Sequence, residues 1–214
     1  MLRRAVLALA LLLGLAACGA EPVWAPDEAV ARARFEPGGP PTVTLYTMIS
    51  NRSGAGGHSA LMIDADQRLL FDPAGTWHHP AAPERNDVIF GMSPQLLRFY
   101  IDYHARATYH VVVQEVEVSP EVAAQLSRAV QEYGPVPSAQ CSLSVSSILG
   151  QVPGWDHVRR SYFPVRTMNA FAEIPGVRSE QIFDDDADNN TELLTRQARA
   201  ELRAQQVEAA LGES

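Results

Sequence analysis

Apolar and polar positions alternate along this chain in blocks, and the period of each block predicts an element. Thr42 to Ile49 is rich in Val, Thr, Leu, Tyr and Ile and reads as a strand, and Ser50 to Gly57 follows as a turn segment with three glycines. His58 to Asp64 and Arg68 to Asp72 read as a strand pair joined by Ala65-Asp66, and Thr76 to Asp87 as a loop bearing Pro and His. Ser93-Pro94 supplies a cap and a first-turn proline for a helix running to about His104. Tyr109 to Val118 is a further strand with Glu115 and Glu117 on one face, and Ser119-Pro120 opens a helix that Gly134 and Pro135 end after Tyr133. From Cys141 the period is helical until Pro153-Gly154, and Pro164 introduces a short helix to about Glu173. The tail from Asp184 is an acidic loop, expected to be solvated and to cap a last helix over Thr191 to Leu211.

The N-terminus has a different texture. Arg3 and Arg4 precede the apolar run Ala5 to Leu13, and Leu15-Ala16-Ala17-Cys18 closes it. That run is shorter than the roughly 20 residues needed to span a bilayer, and its charged and small-residue flanks are those of a secretory signal. The Leu-Ala-Ala-Cys ending resembles the bacterial lipobox. The resemblance implies that residues 1–17 are removed, that Cys18 is diacylated, and that the membrane is a partner through this lipid. Gly19 after the cysteine leans the expectation towards the outer membrane, facing the periplasm. Glu21 to Pro41, rich in Pro, Ala and Gly, reads with the lipidated end as a flexible tether over 18–41. An α+β domain is expected over 42–178, with the acidic loop and final helix over 179–214.

Composition narrows the function. In 214 residues, 46% hydrophobic and 20% charged, one globular domain with a core remains once the signal is set aside. The formal net charge of −8, with no basic stripe, argues against nucleic acid as a partner. No cofactor or metal is expected: His78 and His79 are adjacent and lack helical ligand spacing from His104 or His110, and the run from Asp184 to Asp188 lacks the Gly and Glu of a calcium loop.

Only two cysteines are present, and lipidation consumes the first. Cys141, Val145, Ile148 and Leu149 fall on one helical stripe. With Ser138 as cap, Cys141 sits in the first turn, where the helix dipole and free N–H groups favour the thiolate. A buried, inert cysteine is the competing reading. His58 starts an apolar strand after Gly56-Gly57, and the hairpin returns Asp72 opposite Ser59 or His58, where a carboxylate can fix the imidazole tautomer. Trp77, Tyr100, Tyr103 and Tyr162 are candidates to line a cleft, with aromatic core or rim as the default.

Gly57-His58-Ser59-Ala60-Leu61-Met62-Ile63, then Phe71-Asp72-Pro73-Ala74-Gly75-Thr76, then a strand, a helix and a Cys-led helix, resembles the circularly permuted NlpC/P60-like group of papain-fold proteins. The resemblance covers about Val43 to Leu149. It implies an antiparallel sheet packed on a Cys-bearing helix, with Cys141 as nucleophile, His58 as base and Asp72 as the polar third member. Gln140 stands where many relatives carry Asn and offers a further oxyanion donor beside backbone N–H groups. The implied activity is hydrolysis or transfer at an amide or ester, with a peptidoglycan peptide, another peptide or a lipid as substrate. Some members have lost activity, so a non-catalytic envelope binding or assembly module stands as the alternative.

Overall fold

The computed structural model describes residue 20, residues 22–199 and residue 203. Its fold is α+β: a seven-stranded, wholly antiparallel sheet in the order β4-β5-β3-β2-β1-β6-β7, with helices on both faces. The strands are β1 (Thr42–Ser50), β2 (Gly56–Asp64), β3 (Arg68–Phe71), β4 (Glu84–Arg85), β5 (Val88–Phe90), β6 (Tyr109–Glu117) and β7 (Arg178–Ile182). The helices are α1 (Asp27–Ala33), α2 (Pro94–His104), α3 (Pro120–Glu132), α4 (Cys141–Leu149) and α5 (Pro164–Ala172), followed by α6, helical over 191–199.

β1 lies inside the sheet between β2 and β6 and is buried almost throughout, because both faces of the sheet are covered. Val43 and Leu45 join Leu61, Ile63, Leu126, Val145 and Ile148 in a core beneath α3, α4 and α5. Tyr46 and Met48 join Ala60, Met62, Trp77 and Tyr100 in a second core beneath α2. Ser93 and Ser119 cap α2 and α3 through their hydroxyls, accepting from Leu96 and Val122 N–H, with proline in the first turn of each, as the sequence predicts.

Four sequence expectations change. Residues 22–41 are not a free tether. Trp24 bridges Arg85, Arg85 donates to the Ala25 carbonyl at 2.8 Å, Phe35 O accepts from Arg68 N–H, and α1 lies between them. Pro and Gly suppress periodicity here, but alternate backbone and aromatic contacts hold the segment down. The sheet does not end at 178, since β7 pairs with β6. The acidic loop is not merely solvated: Asp186 O accepts from Ala107 N–H, Asp186 pairs with Arg106 at 3.2 Å, and Asp188 accepts from the Thr108 hydroxyl at 2.7 Å. Finally, α4 begins at Cys141, not at Ala139 two residues earlier, because Ala139 takes a left-handed φ of 64° that no helix accommodates. Residues 1–17 and Cys18 lie outside the described residues. Among the described residues no helix is long and apolar enough to cross a membrane.

Candidate active site

The site forms where β3 falls short of β2. The β2–β3 register ends at Leu61 opposite Phe71, so the β3 side of β2 is unpaired at Ser59 and His58. Continued past Phe71, that register would set Asp72 opposite Ala60, on the same face as His58 but two residues away. The chain turns instead: Asp72 N–H donates to Asp87 O at 2.8 Å, and Gly75 N–H to Asp72 O at 3.0 Å. The turn aims the Asp72 carboxylate back along β2, and His58 Nε2 donates to Asp72 Oδ1 at 2.6 Å. Tyr100, wholly buried on α2, donates its hydroxyl to the same oxygen at 2.8 Å.

α4 brings Cys141 to the open edge of β2. Burial opposes ionisation of the thiol, but a hydrogen bond and the charge of His58, together with N–H donation from Ser59 and Ser142, hold it below the usual thiol range. With Nε2 taken by Asp72, Nδ1 is the imidazole nitrogen left to face the sulfur. Burial also opposes charge on His58, yet Asp72 and Cys141 raise it to about 10. Asp72, itself buried, is held below the usual carboxylate range by the His58 charge and hydrogen bond, with His104 and Tyr100 adding to both. His58 therefore favours the thiolate of Cys141, and Asp72 and Cys141 favour the imidazolium of His58, so each charge supports the other. Cys141 is itself buried, 8% exposed.

Surrounding residues make this geometry obligatory. A Cβ added at Gly75 would lie 2.0 Å from Asp72 Oδ2, so only glycine lets the carboxylate sit there. At Gly56 and Gly57 a Cβ would meet Pro164 at 2.6 Å and Tyr109 at 2.8 Å, so the two glycines let α5 and β6 close around the histidine strand. Asp87 ties the two halves of the site together. Its Oδ1 accepts from Ala74 N–H in the Asp72 turn, and its Oδ2 from Val136 N–H on the approach to α4. Ser142 and Thr167 hydroxyls, 2.8 Å apart, lock α4 to α5 directly behind Cys141.

The residues singled out from the sequence thus divide. His58, Asp72 and Cys141 come together; Gln140 immediately precedes Cys141 but its side chain makes no capping bond. Of the aromatics, Trp77 is core, Tyr162 is 58% exposed, Tyr103 walls a cavity, and Tyr100 is a direct partner of Asp72. His78 and His79 make local contacts to Thr76 O and Ala81 N–H, away from His58. His104 and Asp87 were not legible as site residues, and Tyr100 was legible as a candidate cleft aromatic but not as a partner of Asp72. The only available sign was Tyr100 and His104 at i, i+4 on the predicted α2 helix, a spacing that core packing also produces.

His104 stacks on His58 with ring centroids 6.0 Å apart and planes 11° from parallel, and its Nδ1 donates to Tyr100 O at 2.8 Å. Burial and the neighbouring His58 charge lower it to about 4 against the pull of Asp72, so His104 is neutral beside a charged His58. A cavity of about 340 Å³ opens along this pair. No protein-family model, curated protein or solved structure matches this chain.

Proposed function

We propose that this chain is an envelope lipoprotein, anchored through Cys18, whose papain-like, circularly permuted NlpC/P60-like domain catalyses acyl transfer or hydrolysis through Cys141. The observation that carries the reading is the imidazole of His58, bonded to Asp72 through Nε2 and close enough to the Cys141 thiol for each to shift the other's ionisation. Such a nucleophile, base and orienting group is the constellation of covalent acyl chemistry. In the reaction the thiolate attacks the carbonyl carbon of an amide or ester, forming the S–C bond. The developing oxyanion is met by first-turn N–H groups of α4, which have no intrahelical acceptor, with the Gln140 amide as helper. His58 passes its proton to the departing amine or alcohol as the C–N or C–O bond breaks, leaving a thioester on Cys141. Water or an acceptor amine or hydroxyl, deprotonated by His58, then attacks the thioester and releases the thiolate. Asp72 keeps the ring oriented throughout and compensates its charge.

The test is a p-nitrophenyl ester of an acylated amino acid. A burst of nitrophenol equal to the enzyme, with an acyl adduct on the Cys141 peptide, is expected, and none in Cys141→Ser. Equal turnover in Cys141→Ser would overturn the reading. The anchor is tested separately: the full chain should enter the detergent phase, and Cys18→Ser should leave it. Acyl chains contribute about 0.8 kcal/mol per buried CH₂, and this acidic chain has no basic stripe to hold it at anionic lipid. Retention of Cys18→Ser in detergent would contradict the anchor.

A further inference from the structure

The segment that follows Cys18 is fixed to the sheet, and it presents an apolar pair to solvent. Asn86 N–H donates to Val23 O at 3.0 Å and Ala25 N–H to Glu84 O at 3.0 Å, so residues 23–25 lie along β4 as one more antiparallel partner. Arg85 fastens them from its side chain. It donates to Ala25 O at 2.8 Å, pairs with Asp27, and sets its guanidinium 4.7 Å from the centroid of the Trp24 ring. α1 is held at its far end, where Gly91 packs so closely that an added Cβ would collide with Ala33. Trp24 is nevertheless 65% exposed and Val23 47%, whereas Trp77 and Trp155 are buried. Single exposed apolar side chains are ordinary on a protein surface. This pair differs in being rigidly presented just after the cysteine of the lipobox-like run.

The chain from Cys18 to Val23 spans at most about 18 Å when fully extended, whereas a free chain from Cys18 to Thr42 would reach about 80 Å. Indole rings concentrate at the boundary between headgroups and acyl chains, where an apolar body and a polar N–H are both satisfied. Asp27 and Glu28, exposed in the first turn of α1, put negative charge beside Trp24, which selects zwitterionic over anionic headgroups. We propose that Val23 and Trp24, with β4 behind them, are the surface on which the domain rests against a zwitterionic phospholipid leaflet. The inference rests on the lipid anchor at Cys18 and on none of the chemistry at Cys141. It has a consequence for that chemistry. The Asn86-Asp87 turn that bonds Val23 also bonds Asp72 and Ala74, so the Cys141 site is held at a fixed, short height above the leaflet.

The experiment places the lipidated full chain in phosphatidylcholine vesicles, with and without bromine on the acyl chains. Trp24 emission is the difference between this chain and its Trp24→Phe variant, and flotation with the vesicles reports the anchor. Trp24 should lose most of its emission to brominated lipid, and should lose most of the quenching by aqueous acrylamide that it shows in soluble Cys18→Ser. Inserting about ten Gly and Ser residues after Ala20, a spacer that frees the domain to move, should leave both effects in place, since a surface contact does not depend on a short tether. A floating chain whose Trp24 stays as open to acrylamide as in Cys18→Ser would overturn the docking surface and keep the anchor. Loss of the brominated-lipid quenching in the lengthened chain would also overturn it, because proximity alone would then explain the wild-type signal. A chain that does not float would overturn the anchor and this surface together.

Discussion

Asp72 is held by three restraints that act on one carboxylate: the His58 imidazole at 2.6 Å, the Tyr100 hydroxyl at 2.8 Å, and the bare Cα of Gly75 against Oδ2. A buried carboxylate without partners would cost several kcal/mol and would protonate instead; with these partners it stays ionised and lends its charge to His58. The Gly75 contact makes a specific demand. Gly75→Ala places a methyl 2.0 Å from Oδ2, so the carboxylate must rotate away from His58 or the turn must shift. The expected result is a loss of about 1–3 kcal/mol in chemical denaturation together with a Cys141 labelling rate at pH 7 that falls towards that of Asp72→Asn. Unchanged labelling in a folded Gly75→Ala protein would show that Asp72 does not govern the imidazole.

Among the elements, those with a strong period were legible and those defined by partners were not. β1, β2, β6, α2, α3 and α5 follow runs of β-branched residues or Ser-Pro and Pro starts, signals that act within the segment itself. β4, β5 and β7 are short and exist by pairing: Glu84–Arg85 and Val88–Phe90 hang on β3, and Arg178–Ile182, largely exposed, on β6. Nothing local in Arg-Ser-Glu-Gln-Ile marks a strand. α1 was lost in Pro- and Ala-rich sequence, since it buries no residue and is fixed by flanking contacts. The start of α4 was misplaced because Ser138 looks like a cap, whereas Ala139 at φ 64° ends the preceding turn and makes Cys141 the first helical residue. That shift strengthens the dipole argument. In the candidate site, Cys141, His58 and Asp72 could be read because each sits beside a local marker: a helix start, a Gly-Gly pair, a strand end. Tyr100 could be read only as a candidate cleft aromatic, and His104 and Asp87 not at all, because their roles come from the packing of α2 and of the 84–90 segment onto β3.

For the whole molecule, the ion pair links stability to pH in a way that can be worked out by sign. The folded His58 is raised from 6.5 to about 10, so its contribution is complete below 6.5 and is lost as pH rises towards 10. The folded Cys141 is lowered from 9.0, so its contribution is complete above 9.0 and is lost as pH falls. In the part of the range from 6.5 to 9.0 where the folded thiol is ionised, the folded pair carries its proton on nitrogen and the unfolded pair on sulfur, and the two slopes cancel. Thermal melting of the wild-type protein should therefore show no pH slope from this pair across that window. Cys141→Ser removes one slope and leaves the other, so its melting temperature relative to wild type should fall steadily from pH 6.5 upwards. A constant offset across the window would mean that thiol and imidazole do not share the proton.

That shared proton is the centre of the account, and its most direct measurement is the rate of Cys141 alkylation by iodoacetamide against pH in the native protein, wild type beside His58→Ala. Labelling of wild type should be faster than that of a free cysteine at neutral pH, with an acid limb displaced below the ordinary thiol range. His58→Ala should move that limb up towards 9.0 and slow labelling at pH 7. A native Cys141 that labels only in denaturant, or a limb that His58→Ala leaves in place, would contradict a thiolate–imidazolium pair.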